Sequence, residues 1–231
     1  MTEWWTYRPS DFLMFAPRTY WRRFELHNQT WWPAQPLLVL AGLVWLGWGL
    51  RCVPLAQRVG AAGLAAAWAF VAMAFLLARY LPINWAASGF AIGFLVQAFG
   101  LAGLAARADL HGHPSAGRCR AAALLCGWAL LGHPLLAPAF GRPWLQAEFV
   151  GLAPDPTAIA TLGVLLWVRA EGLVTRWLLR LLWTLALAWC AVSTATLWTM
   201  GAAQGWAVLV AALVAVSVAV ASTRSGQQVR R

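Results

Sequence analysis

From residue 59 to residue 78 the chain runs twenty residues without a charge, and comparable apolar runs recur up to Ser222. At about 1.5 Å of rise per residue, such a run is what a helix needs to cross roughly 30 Å of hydrocarbon. No other feature constrains the fold as strongly. Of the 231 residues, 61% are hydrophobic and only 10% are charged. A soluble domain carries roughly 25% charged residues, so a water-facing surface could not be covered here. The pattern predicts an all-α, polytopic membrane helix bundle of about seven transmembrane helices, over 37–53, 59–80, 84–106, 119–139, 157–168, 177–198 and 206–222. The fifth is short. It extends past Arg169 by snorkelling, or it is a half-helix ending inside the protein. The variant architecture is therefore six spans plus a half-helix.

Residues 1–36 form a separate aromatic-rich segment, 37–222 the bundle, and 223–231 a basic tail. Pro17 can open a helix running to about Trp32, with Tyr20, Phe24 and His27 on one face and Arg18, Arg22 and Glu25 on another. Such a helix is expected in the interface plane, aromatic side down. The seventeen Trp suit that boundary, where an indole keeps its ring apolar and its N–H wet. The first thirty-odd residues hold no short apolar run ending in small residues, so no cleavable leader is expected.

All seventeen cations are Arg, and there is no Lys. That excludes retinal or pyridoxal phosphate held as a Schiff base. Net charge +10 invites a nucleic-acid reading, but the arginines sit between apolar segments, so no nucleic acid is expected. They read as topology determinants and lipid-phosphate contacts. The connections after spans one, three, five and seven hold eleven of them: Arg51, Arg58, Arg107, Arg118, Arg120, Arg169, Arg176, Arg180, Arg224, Arg230 and Arg231. The other connections hold two, Arg79 and Arg142. The asymmetry predicts a C-terminus in the cytoplasm and an N-terminus outside. Arg8, Arg18, Arg22 and Arg23 weigh against it, but an interfacial helix can hold them at either leaflet.

Cys52, Cys119, Cys126 and Cys190 form no CxxC pair and read as small hydrophobes, with Cys126 and Cys190 reduced. The loop with Asp109, His111 and His113 has metal-ligand chemistry but only two imidazoles, short of a four-ligand zinc site. No HExxH, Walker loop or GxSxG is present. No cofactor and no metal are expected.

Sorting residues by this topology gathers the unusual ones at one end. Glu25, His27, Arg79, Asn84, Trp85, His133, Arg142, Glu148, Asp155 and Thr157 all fall on the N-terminal side, with the late Ser/Thr turns of span six. Irregular, Pro-broken backbone at membrane depth survives only where protein or a water-filled cavity covers it, so a binding pocket is expected there. Asp155-Pro156-Thr157 reads locally as a helix start, with Asp155 as N-cap and Pro156 at the first helical position. Arg79 with Asp155 or Glu148 reads as an ion pair that either holds two loops together or contacts a ligand. Gln97, mid-span, needs a partner on another helix.

Phe15-Ala16-Pro17-Arg18-Thr19-Tyr20, Trp32-Pro33-Ala34-Gln35, the stretch 79–86, and Gly151-Leu152-Ala153-Pro154 followed by Pro156-Thr157 and Thr161-Leu162-Gly163 carry a likeness across nearly the whole chain. In these motifs the chain resembles a bacterial family of integral membrane proteins catalogued only as a domain of unknown function. In that family the residue between the two prolines is often Cys, with Phe common just after; here they are Asp155 and Ala160. The resemblance implies a polytopic inner-membrane protein and no particular reaction. Three functions stay open: a small-molecule permease or binding protein with a polar pocket on the non-cytoplasmic side; an accessory subunit of a larger membrane complex; and a membrane enzyme. The expected partners are the lipid bilayer and other membrane subunits or further copies of the chain.

Overall fold

The structure is a computed structural model that describes residues 13–51, 54–107, 114–168 and 172–228. The Asp109/His111/His113 loop lies outside the described residues, as do Cys52, Arg169, Arg230 and Arg231. Eight helices follow in order among the described residues. They are α1 (Pro17–Thr30), α2 (Ala34–Gly49), α3 (Pro54–Phe70, continuing with wider winding as Val71–Tyr80) and α4 (Ala87–Ala105). Then come α5 (Ala116–Gly127, continuing through Trp128–Gly132 and His133–Ala139), α6 (Pro154–Trp167), α7 (Leu173–Thr199) and α8 (Gly205–Gln228). No strand occurs among the described residues.

Five of these, α3, α4, α5, α7 and α8, are long and apolar enough to cross a membrane. Among the described residues five helices meet that length, so the expected count of seven is not shown. At 16 and 14 residues, α2 and α6 reach about 24 and 21 Å, short of a hydrocarbon core. The apolar composition that made them read as spans comes, in α6, from burial against protein. Every residue of α6 is buried, and α3, α5, α7 and α8 pack around it. Its chain turns extended at Val168. Arg118 Nε donates to the Leu166 carbonyl at 2.9 Å, supplying a partner to one of the carbonyls that a helix end leaves open. Among the described residues the helix stops at Trp167 and is enclosed by protein along its whole length.

The start of α6 differs from expectation by two residues. Ala153 is the N-cap and Pro154 occupies the first helical position, which puts Asp155 inside the first turn. The shift comes from the turn before it. Gly151 takes φ +84°, a left-handed conformation glycine adopts without penalty, and its N–H donates to Thr157 Oγ1 at 2.8 Å. Thr157 in turn donates to the Ala153 carbonyl at 2.7 Å. Thr157 therefore fastens the turn to the helix and leaves the Asp155 carboxylate for other partners.

Close backbone approach fixes α6 against α5. A Cβ at Gly163 would stand 2.6 Å from Cys126 Sγ and 3.0 Å from the Ala122 carbonyl oxygen. Two hydrogen bonds tie the other walls: Trp68 Nε1 to Thr161 Oγ1 at 2.8 Å, and Gln97 Nε2 to the Leu182 carbonyl at 3.2 Å. The partner expected for Gln97 thus lies on α7.

Helix α1 begins at Pro17 as expected, with Tyr20, Phe24 and His27 buried on one face. That face does not look down into lipid. Phe24 packs on Phe75 with ring centroids 4.6 Å apart, and Tyr20 on Tyr80 at 5.8 Å, so α3 covers it. Cys126 and Cys190 are free and buried as expected. Cys119 corrects the cysteine reading, because it is disulfide-bonded.

Candidate functional site

The loop between α5 and α6, residues 140–153, is pinned from α1. Asn28 Nδ2 donates to the carbonyls of Leu145 and Ala147, both at 2.8 Å, and Gln35 Nε2 donates to the Asn28 carbonyl at 2.8 Å. With its neighbour Ala147 held, Glu148 turns inward. It meets His133, at the start of the last stretch of α5, and Asp155, on the first turn of α6. All three are buried, at 2%, 2% and 1% exposure, and one ligand-type atom from each lies within 4.8 Å of the others.

The two carboxylates are held differently. Asp155 Oδ1 accepts from Trp189 Nε1 at 2.8 Å and Oδ2 from Ser193 Oγ at 2.6 Å. Both donors come from one face of α7, four residues apart. The positive end of the α6 dipole also favours charge on Asp155. Glu148 Oε1 accepts weakly from Gln204 Nε2 at 3.4 Å and lies 3.8 Å from the Arg142 guanidinium, while Oε2 has no partner. Burial first, and Asp155 after it, raise the Glu148 carboxyl to about 8 against the lowering effect of Arg142 and Gln204. Arg142 itself donates to Gln204 Oε1 at 2.5 Å and to the Gln146 carbonyl at 3.1 Å. It also lies over the Trp21 ring at 3.7 Å. Burial lowers its pKa, against the raising effect of Glu148 and Tyr20. The Tyr20 hydroxyl is held well above its usual value by burial and by both carboxylates.

Tyr20 is itself buried among aromatic rings. It packs against Phe15 and Tyr80, with centroids 5.7 and 5.8 Å apart. Both rings line a recess of 210 Å³ whose wall includes Asn84, Thr196 and Thr199. A neighbouring recess of 480 Å³ shares Phe15 and Thr199.

The expected site residues divide. His133, Arg142 and Asp155 come together, and Asn84 lines the recess while accepting the Ala86 N–H at 3.0 Å. Glu25 pairs with Arg22 and accepts from Gln146 Nε2 at 3.5 Å, so it braces the loop from outside. His27 sits among Phe70, Phe75 and Trp31, where burial, with Arg79 adding, depresses its pKa to about 4. Trp85 is 74% exposed. Thr157 fastens the turn. Arg79 does not pair with Asp155: it donates to Thr30 Oγ1 at 2.7 Å, while both Asp155 oxygens are taken by α7. Trp189, Gln204 and Tyr20 were not legible as site residues. A lone Trp or Gln beside an apolar run has no spacing that marks it, and the spacing of Tyr20 marks a helix face, not a site.

A family model described as a family of unknown function (DUF6064) matches residues 18–230. The chain belongs to that family. No curated protein and no solved structure matches it. The matched region takes in every residue of the His133, Glu148 and Asp155 centre and the Asn28 and Arg142 contacts that shape it.

Proposed function

We propose that this member of the family is a multipass inner-membrane protein that binds a small polar solute, as a permease or binding protein, at the centre beneath Tyr20. The observation that carries this reading is α6: a 14-residue helix buried on all sides that presents a carboxylate from its first turn to polar atoms without partners. In a membrane, a helix that ends inside the protein is tolerated only where protein or a cavity covers it, and transporters build their sites from such half-helices. The surface recess at Tyr80 and Asn84 is walled by rings that pack against Tyr20.

The experiment is a thermal-shift screen of purified protein in detergent against amino acids, sugars, polyamines and small carboxylates. A solute present at a hundred times its Kd adds about 2.7 kcal/mol of stability, so at least one should raise the wild-type Tm. The shift should vanish in Asp155→Asn. If no compound acts and a second membrane protein co-purifies stoichiometrically, the accessory-subunit reading replaces this one.

We further propose that the end carrying the recess faces away from the cytoplasm, following the Arg asymmetry. The Cys119 disulfide points the other way, since disulfides persist in oxidising compartments. Arg bias sets topology during insertion, whereas oxidation follows compartment afterwards, so we give the Arg count precedence. Reporter fusions after Gly112 and after Arg231 should both read cytoplasmic. A periplasmic signal from either fusion reverses the orientation.

A further inference from the structure

We propose that His133, Glu148 and Asp155 bind one divalent transition-metal ion, of the zinc type. The inference deepens the preceding reading and rests on the same buried centre.

Three side chains from three separate elements, α5, the pinned loop and α6, offer ligand atoms within 4.8 Å of one another. Ligand atoms around a four-coordinate zinc, each about 2.0–2.2 Å from the metal, stand roughly 3.4 Å apart. The gap to close is within reach of side-chain rotation, and Glu148 Oε2 is free to make it.

The second observation is independent of the acidic pair. Neither ring nitrogen of His133 has a hydrogen-bond partner, and neither does Glu148 Oε2, although both residues are only 2% exposed. A buried polar atom without a partner costs about 1–3 kcal/mol, and here several such atoms converge on one point. What meets there is lone pairs: an imidazole nitrogen and carboxylate oxygens. A cation satisfies these lone pairs together.

The groups behind these atoms suit ligands better than they suit a simple ion pair. Trp189 and Ser193 each donate to one oxygen of Asp155, leaving every oxygen a second lone pair. Gln204 and Arg142 hold Glu148 by Oε1 alone, which leaves Oε2 for the metal. Outer partners of this kind orient first ligands in metal sites. Charge agrees: two carboxylates face one guanidinium, and a divalent cation removes their mutual repulsion.

One imidazole with two carboxylates selects among metals. Calcium and magnesium prefer all-oxygen sets, and copper(I) prefers sulfur. The nearest thiol by sequence, Cys126, is turned towards the Ala160 carbonyl at 3.7 Å. Among zinc, iron(II) and manganese(II), the affinity order favours zinc. Three protein ligands leave one position for water or solute. The ring nitrogen of His133 that faces away from the metal keeps no protein partner, so His133 is the least constrained ligand and the most informative to remove.

The test uses full-length protein with any affinity tag removed, purified in detergent and dialysed against metal-free buffer. Elemental analysis should find about one zinc per chain. His133→Ala and Glu148→Gln should each lower that content about tenfold or more, by analogy with the losses seen when metal-site partners are removed. X-ray absorption at the zinc edge should show nitrogen and oxygen ligands and no sulfur. EDTA should lower the wild-type Tm, and zinc, but not magnesium, should restore it. Wild-type protein that neither holds zinc nor gains Tm when titrated with it overturns the proposal, as does sulfur in the coordination shell. Zinc retained in full by both variants overturns it too. If the variants do not fold, the wild-type stoichiometry and absorption spectrum decide. A Tm that responds to an organic solute in zinc-free protein would keep the binding reading and discard the metal; stoichiometric zinc with no solute response would do the reverse.

Discussion

Arg142→Met should destabilise the protein by about 3–5 kcal/mol, the range found when one partner of a buried ion pair is removed. Arg142 is the one guanidinium among the described residues placed beside the Glu148 carboxylate, 3.8 Å away. Its loss leaves Glu148 and Asp155 facing one another with no positive side chain beside them. It also strips Gln204 Oε1 and the Gln146 carbonyl of a donor and removes the cation above Trp21. Methionine fills a similar apolar volume, so packing alone is not the cause. Arg142→Met/Glu148→Gln should recover part of the loss, because a neutral amide needs no counter-charge. The measurement is thermal unfolding in detergent after chelator treatment, so that no bound ion contributes. A double variant no more stable than the single one would show that charge is not what couples the two residues.

The second large effect is expected at Gly163, where α5 and α6 touch through backbone. Gly163→Ala should cost about 1–3 kcal/mol by overpacking. Its Cβ would stand 2.6 Å from Cys126 Sγ and 3.0 Å from a backbone oxygen, and backbone cannot rotate aside as a side chain can. Gly163→Leu should yield no folded monomer on size-exclusion chromatography. Gly93 is the control. It lies in α4, where the methyl of an alanine would meet nothing within 4 Å, so Gly93→Ala should be neutral or gain up to about 1 kcal/mol from helix propensity. Equal losses at the two positions would mean that the α5–α6 contact is not close-packed. The contact matters to function because it sets the height of α6, and with it the depth of Asp155.

Much of this arrangement was legible in the chain itself. A charged content of 10% leaves too little polar surface to cover a soluble fold, so long apolar helices were dictated by composition. Pro17 and the 3.6-residue spacing of Tyr20, Phe24 and His27 determined α1 and its buried face. Sorting residues by the side of the bundle on which their loops fall brought His133, Arg142, Glu148 and Asp155 to one end, since alternate loops of an up-and-down bundle share an end whatever the packing inside. Gln97 announced a partner because an amide at that depth cannot go unpaired.

Tertiary structure decided the rest. An apolar 14-residue run reads identically whether lipid or protein surrounds it, so only packing could show that α6 is enclosed and stops short. Pairing between charges depends on reach, and reach depends on helix height and rotation, which no spacing within one segment encodes. Hence Arg79 turned to Thr30 on α1, while Asp155 was taken by Trp189 and Ser193, thirty-four and thirty-eight residues further along the chain. Glu148 faces inward for the same reason. Its loop has no periodicity of its own, and its direction is set by Asn28 of α1, about 120 residues before it, through bonds that exist only once the two segments are packed together.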